Sequence, residues 1–203
     1  VFQLTLDRKW QIAEPPPPGF RLDLGFLGSG VRGPLPVLLL WNRGIRTNAD
    51  VDEYFSSGME DFLDPLSLPD MGIAVKRIHI AIKNGETIGI FGDFDVDGLT
   101  GTAIILRIVR SFGGNAIPYI PNRETDGHGL SRQAIDSFAK AGVALITTVD
   151  TGSTAVDEIA YANSLGIDTV VTDHHLIETE RPKAIAIVNP HLESEGSEKS
   201  VDY

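Results

Sequence analysis

Short apolar runs separated by amphipathic stretches dominate the second half of the chain. They fall at 87–91, 115–120, 144–149, 167–171 and 184–188. Runs this short, bounded by glycine and polar turn residues, predict strands buried on both faces, as in a parallel sheet. The stretches between them carry helical signals. One helix is predicted over about Leu99 to Phe112 with Gly113-Gly114 behind it, and one from a Ser131 cap to about Ala141, stopped by Gly142. A third spans about Ala155 to Leu165, stopped by Gly166. Strands alternating with helices predict an α/β fold, a parallel sheet with helices on both faces joined by right-handed crossovers.

The first half has a weaker pattern. Pro15 to Pro18 form a polyproline stretch, and Gly19 to Gly33 is glycine-rich and read as loop. A short helix opens near Leu38 to Trp41. Asn48 is read as the cap of a second short helix through Phe55, and Asp70 as the cap of a longer one to about Asn84. On that longer helix Met71, Ala74, Val75, Ile78 and Ile82 share one face, and Gly85 ends it. Three regions result: a loop-rich and helical leader at 1–85, a catalytic domain at 86–190, and a polar tail at 191–203. The tail is read as mobile, or as the start of a truncated connection.

Composition narrows the functional classes. At 203 residues and 42% hydrophobic content the chain can bury an ordinary core. It contains no cysteine, which excludes disulfides and thiolate metal sites and fits a reducing cytoplasm. No apolar stretch approaches the ~20 residues of a membrane span, so no membrane partner is expected. The net charge of −11 disfavours broad electrostatic attraction to nucleic acid. It does not exclude a nucleic-acid substrate, because bound divalent cations reverse the local sign.

Candidate chemistry sits directly after three of the strands. Strand 87–91 runs into Gly-Asp-Phe-Asp-Val-Asp-Gly at 92–98, strand 144–149 into Asp150-Thr151-Gly152, and strand 167–171, through Thr172, into Asp173-His174-His175. In open α/β sheets, ligands bind beyond the carboxyl ends of the strands, so three distant stretches deliver carboxylates and imidazoles to one edge. Hard oxygen donors mixed with imidazole suit a divalent cation such as Mn²⁺. A single aspartate after a strand is commonly a helix cap or an Asx turn, and for Asp97 that reading weighs equally with function. The mid-helix Asp136 and Asp157 and the loop residues His128 and His191 are read as solvated. Arg123, ahead of Gly127 and Gly129, is a candidate guanidinium clamp on a phosphate.

Three other readings of these motifs fail. The run from Asp93 opens like an EF-hand loop, but the twelfth loop position is Ile104 rather than glutamate, and a strand precedes it. An aspartate-nucleophile phosphatase would carry a threonine-like residue where Asp97 stands, and would leave the paired histidines unexplained. No Gly-Lys-Ser/Thr follows any strand, which excludes a Walker-type phosphate loop.

In GDFDVDG, in the Thr-Val-Asp ending at Asp150, and in Val171 to His175, the chain resembles the DHH phosphoesterase superfamily, and within it the RecJ branch of single-strand-specific exonucleases. Further similar stretches are Asn42 to Ile45, Tyr119 to Arg123, His128 to Leu130 and Ile187 to Pro190; together they cover roughly 36 to 190. The resemblance implies metal ligands at Asp93, Asp95, Asp150 and His174, with Asp150 bridging two Mn²⁺ or Mg²⁺ ions. It implies that His175 faces the phosphate and stabilises charge on the transferring group. Smaller relatives often carry a histidine four residues before the first aspartate; this chain has Gly89 there, which favours the RecJ branch.

The resemblance also implies a further metal-binding aspartate and a substrate-gripping domain downstream, so the chain is read as the amino-terminal portion of a longer enzyme. The implied activity is hydrolysis of single-stranded DNA from its 5′ end in recombination and repair, with a helicase or a single-strand-binding protein as possible partner. Two alternatives stand beside it: a phosphoesterase acting on short oligonucleotides or cyclic dinucleotides, and a non-catalytic scaffold that keeps the fold.

Overall fold

The computed structural model describes residues 13–28, 33–56, 58–123, 127–177 and 180–192. The chain divides into two compact units, Val1–Phe62 and Leu63–Tyr203.

In the first unit, α1 is Pro34–Asn42 and α2 is Asn48–Phe55. Pro34 opens α1 at a position where its missing N–H costs nothing. The cap of α2 is Thr47, not Asn48. Thr47 Oγ1 accepts from Asp50 N at 3.1 Å, and Asp50 Oδ2 accepts from Thr47 N at 2.9 Å, so two orphan donors are satisfied reciprocally. Asn48 turns away and accepts from Asp23 N at 2.9 Å. Trp41 gathers the neighbouring rings, with Phe20 edge-on at 4.8 Å and the Arg46 guanidinium 3.7 Å from its centroid.

The second unit begins with α3, Met71–Asn84, and continues as β1 Thr87–Gly92, α4 Val96–Ser111, β2 Asn115–Tyr119, α5 Arg132–Lys140, β3 Val143–Val149, α6 Val156–Ser164, β4 Asp168–Thr172 and β5 Ala186–Val188. The strands are all parallel, in the order β2-β1-β3-β4-β5. Alternate residues of each strand feed opposite faces. Phe91, Ile146 and Val171 pack with Ile135 and Phe138 of α5 and Ile159 of α6. Ile88, Ile90, Leu145 and Val170 pack with Ala74 and Ala81 of α3 and Val109 of α4. The expected sheet with helices on both faces is therefore what forms.

Several details differ from the sequence reading. Helix α3 packs on the sheet and lies in the second unit, whereas the hydrophobic pattern had placed it in the leader. Of the expected face, Met71, Ala74, Ile78 and Ile82 pack against the core together with Ala81, while Val75 is 53% exposed. Asp70 holds the N-cap position of α3, its carbonyl accepting from Ala74 N at 2.9 Å, but its side chain makes no cap bond. The residue sits at φ 55° and its Oδ2 accepts from Ile187 N at 3.0 Å, sealing a donor on the edge strand β5. Leu192, assigned to the polar tail, is buried in the core; residues 193–203 lie outside the described residues.

Candidate metal centre

The strand order reverses direction at β1, which has β2 on one side and β3 on the other. The crevice at the carboxyl ends of β1 and β3 is the switch point where open α/β sheets bind ligands. Asp93 and Asp95 follow β1, Asp150 follows β3, and Asp173-His174-His175 follow β4. Each leading aspartate is tied to the next strand over. Asp93 N donates to Val149 O at 3.3 Å, Asp150 N to Thr172 O at 2.9 Å, and Asp173 N to Val188 O at 3.0 Å. The sheet ladder thus extends one residue past the strands, into the motifs themselves.

Glycines permit the close approach of α4 to β1. A Cβ at Gly98 would collide with the backbone of Asp93, and one at Gly92 with Thr102 and the Gly98 carbonyl. Both ends of the GDFDVDG motif are therefore fixed by space rather than by a turn. Helix α4 starts earlier than the sequence pattern suggested because Asp95 caps it, its Oδ1 accepting from Asp97 N and Gly98 N at 3.0 Å each. Asp97 then lies in the first turn and is exposed. Farther down β1, a Cβ at Gly89 would stand 2.8 Å from the Phe138 ring, so a histidine there would have to displace a core aromatic.

Asp150, His174 and His175 can each offer a ligand atom, all within 4.8 Å of one another. His174 Nε2 lies 3.0 Å from Asp150 Oδ1. Asp150 holds a left-handed backbone at φ 61°, uncommon for a residue with a side chain and a mark of a constrained site. Its side chain is 9% exposed. Burial first, and the neighbouring Asp95 charge second, push its carboxyl above the ordinary range, while His174 and His175 pull it back. Asp95 moves the other way: the Gly98 amide, opposed by burial, and the contact with Asp150 hold it below its ordinary range.

The expected ligands Asp93 and Asp95 lie outside that three-residue cluster. Asp93 Oδ1 accepts from Phe94 N at 2.7 Å, and its charge attracts His175. Asp95 reaches the cluster through its hydrogen bond with Asp150. The Arg123 guanidinium packs over Phe94, the residue between those two acids, 5.3 Å from its centroid; the His128 ring flanks the same side chain at 4.8 Å. Oxygen and imidazole donors around a buried carboxylate with a like-charged neighbour fit a hard divalent cation, which would remove the repulsion between the two acids.

Sequence reasoning passed over Asp173, although it heads the third motif. Its side chain is 2% exposed and fully engaged inward. Oδ1 accepts from His174 N at 2.8 Å, His175 N at 3.1 Å and His175 Nδ1 at 2.7 Å; Oδ2 accepts from Ser153 N at 2.9 Å. Burial raises its carboxyl, but bonds from Ser153 and His175 outweigh that and hold it below the ordinary range. It therefore stays ionised and accepts only, which puts the proton of the His175 pair on Nδ1 and leaves Nε2 as the open nitrogen. That bond to Asp173, opposed by burial, raises His175 above its ordinary value. Ser153 and Asn189, both 0% exposed, stand behind this aspartate and were also missed as site residues.

A family model described as "DHH family, N-terminal domain" matches residues 87–203. The single-stranded-DNA-specific exonuclease RecJ of Bacillus subtilis is 40% identical over 77% of this chain and 20% of its own length. The Escherichia coli protein of the same name is 38% identical over 78% of this chain and 27% of its length. The chain thus spans about a fifth to a quarter of these relatives. A crystal structure of exonuclease RecJ bound to manganese superposes with a TM-score of 0.61 at 33% identity, covering 68% of this chain and 35% of that one. The matched span holds all three strand-end motifs and the sheet that carries them, and the chain belongs to the DHH family.

Proposed function

We propose that this chain is part of a metal-dependent phosphodiesterase, a single-stranded DNA exonuclease of RecJ type that hydrolyses from the 5′ end in recombination and repair. The observation that carries the reading is the convergence of Asp150, His174 and His175, their donor atoms within 4.8 Å, at the strand ends of a DHH-family domain. Asp93, Asp95, Asp150 and His174 are the residues that would hold two Mn²⁺ or Mg²⁺ ions. Bound divalent ions supply Lewis acidity and a water acidified toward neutrality.

The remaining work falls to the chain's own groups. His175, its Nδ1 committed to Asp173, presents Nε2 to the phosphoryl group and offsets charge developing on its oxygens. Arg123, held against Phe94, adds a guanidinium at the nucleotide side. Hydrolysis breaks one phosphorus–oxygen bond per water consumed and needs no covalent enzyme intermediate. The acidic balance of the chain suits a substrate strand delivered by a partner, and a helicase or single-strand-binding protein is the proposed supplier. A chain without cysteine, in which no described helix is long and apolar enough to cross a membrane, suits the cytoplasm.

The test is hydrolysis by a protein extended to the length of the relatives, assayed with Mn²⁺ on long single strands and on dinucleotides. Preference for long strands, abolished by Asp150→Ala with the fold retained, is the expected result. Near-normal turnover by Asp150→Ala removes that residue from the metal site, and preference for dinucleotides moves the enzyme to the small-substrate branch of the family.

A further inference from the structure

Asn189 lies just past β5 and is completely buried. Its Nδ2 donates to Ser153 Oγ and to the His175 carbonyl oxygen, each at 2.9 Å, and its Oδ1 accepts from His191 N at 2.9 Å. Ser153 in turn meets Asp173 twice, through its backbone N–H at 2.9 Å and through its hydroxyl. Asp173 holds His175 Nδ1 at 2.7 Å. The bonds close a ring that runs from the His175 carbonyl through Asn189, Ser153 and Asp173 to the His175 imidazole.

Three chain segments meet in that ring: the turn after β3, the turn after β4 and the end of β5. None of its members has a positive φ. What it does is fix one residue at two points, the backbone and the ring nitrogen, while the His175 side chain stays 57% exposed. A purely structural cluster would have no reason to immobilise a solvent-facing imidazole from behind. Core packing at this end is already supplied by Ile187, Val188 and Leu192.

We propose that Asn189 and Ser153 are positioning residues of the metal centre. They set the distance between the Asp150 turn and the paired histidines, and they lock His175 in the tautomer that leaves Nε2 open. The inference rests on the metal-site reading above, but its test can fail separately. An asparagine is required at 189 because the position must donate twice, to a hydroxyl and to a carbonyl, and accept once. Aspartate there would set oxygen against the His175 carbonyl and would compete with Asp173 for the proton of the Ser153 hydroxyl.

The experiment uses the chain itself with Mn²⁺ alone as probe. Calorimetry measures Mn²⁺ affinity, and nitrogen NMR of the metal-free protein reads the His175 tautomer. Asn189→Leu and Ser153→Ala are each expected to weaken Mn²⁺ binding by about 10–100-fold, the usual loss when a partner behind a ligand is removed, because Ser153 holds Asp173 and Asp173 holds the backbone N–H of the ligand His174. Both should also raise the share of the tautomer protonated on Nε2. Ile135→Val, a core change on α5 away from the ring, is expected to lower the melting temperature and leave affinity and tautomer unchanged. Folded variants with native Mn²⁺ affinity and native tautomer would overturn the proposal. Unfolding of both Asn189→Leu and Ser153→Ala would also overturn it, since the ring would then serve stability alone. Absence of Mn²⁺ binding by the native chain would sink the metal reading instead, and the tautomer measurement would still decide the role of the ring.

Discussion

Replacing Asp173 by asparagine removes one charge and one acceptor from a group whose two oxygens receive at least four donors. The new amide must put its NH₂ where one oxygen stood. At the Oδ1 position it would face three donors; at Oδ2 it faces the Ser153 amide and a hydroxyl that can rotate, so the second placement wins. The Ser153 N–H is then buried without a partner, which costs about 1–3 kcal/mol. The three bonds at Oδ1 survive but lose their ionic character, and a charged bond exceeds a neutral one by about 1 kcal/mol. Because the three share one oxygen they do not add in full, and removing a buried charge returns some solvation. The expected net loss is about 2–4 kcal/mol, large against the ~5–15 kcal/mol of a typical domain but short of unfolding it. Urea denaturation of the metal-free chain measures it as a lower midpoint at unchanged slope.

The loss should depend on pH with a definite sign. Asp173 is held below its ordinary range, so its contribution is present above the ordinary carboxyl pKa and disappears as pH falls through the lowered folded value. His175 is raised, so its share is present below the ordinary imidazole pKa and disappears as pH rises through the folded value. The gap between native and Asp173→Asn proteins should be widest between those limits and close toward acid. A loss under ~1 kcal/mol, or a gap that persists at low pH, would refute the assignment of Asp173 as a saturated buried acceptor.

Asp150→Gly should leave the metal-free chain equally stable or up to about 1 kcal/mol more stable, because glycine accepts φ 61° freely and the repulsion from Asp95 is gone. The same variant should lose any Mn²⁺-dependent rise in melting temperature; clear destabilisation without metal would contradict the strain argument. Thr147 is completely buried and its hydroxyl has no partner among the described residues, so Thr147→Val should stabilise by about 1 kcal/mol in urea melts, and a loss would show the hydroxyl to be satisfied. Arg77 holds Glu86 and Asp168 at 2.7 Å each, and the bond from Arg77, opposed by burial, lowers the Glu86 carboxyl. Glu86→Gln should therefore cost up to about 1 kcal/mol at neutral pH and nothing in acid, since that contribution is lost as pH falls through the lowered value; an equal cost at both pH values would count against the ion pair.

The strands and the larger helices were legible because both faces of a parallel sheet are buried, which turns each strand into an unbroken apolar run such as Thr87 to Phe91. Ends were harder. Val96, Asp97 and Gly98 look like loop until Asp95 is known to cap them, and Thr47 competes with Asn48 as a cap with equal chemistry. Asp70 has the sequence signature of a cap, but its side chain is instead diverted to Ile187, 117 residues away. No local pattern encodes a partner at that distance. Asp150, His174 and His175 could be grouped from strand ends alone, because topology brings strand ends to one edge whatever the strand order. The residues behind them could not. Ser153 and Asn189 carry no periodic signal, and their role exists only once the turns after β3, β4 and β5 are side by side.

Strand spacing also explains why the cluster has the size it does. Neighbouring strands lie ~4.8 Å apart. The N–H of Asp93 is bonded to the strand bearing Asp150, and that of Asp150 to the strand bearing Asp173. Successive motifs are therefore held about one strand apart where they leave the sheet, and short side chains suffice to meet: donor atoms of Asp150, His174 and His175 lie within 4.8 Å. A longer acid would overshoot, which gives a physical reason for aspartate rather than glutamate at position 150. The same spacing brings Asp95 close to Asp150, whose carboxyl is raised by burial first and by the Asp95 charge second. On the proposed reading, the sheet sets Asp150, His174 and His175 in position before any ion binds, and the charge of the ion would relieve the repulsion between Asp95 and Asp150.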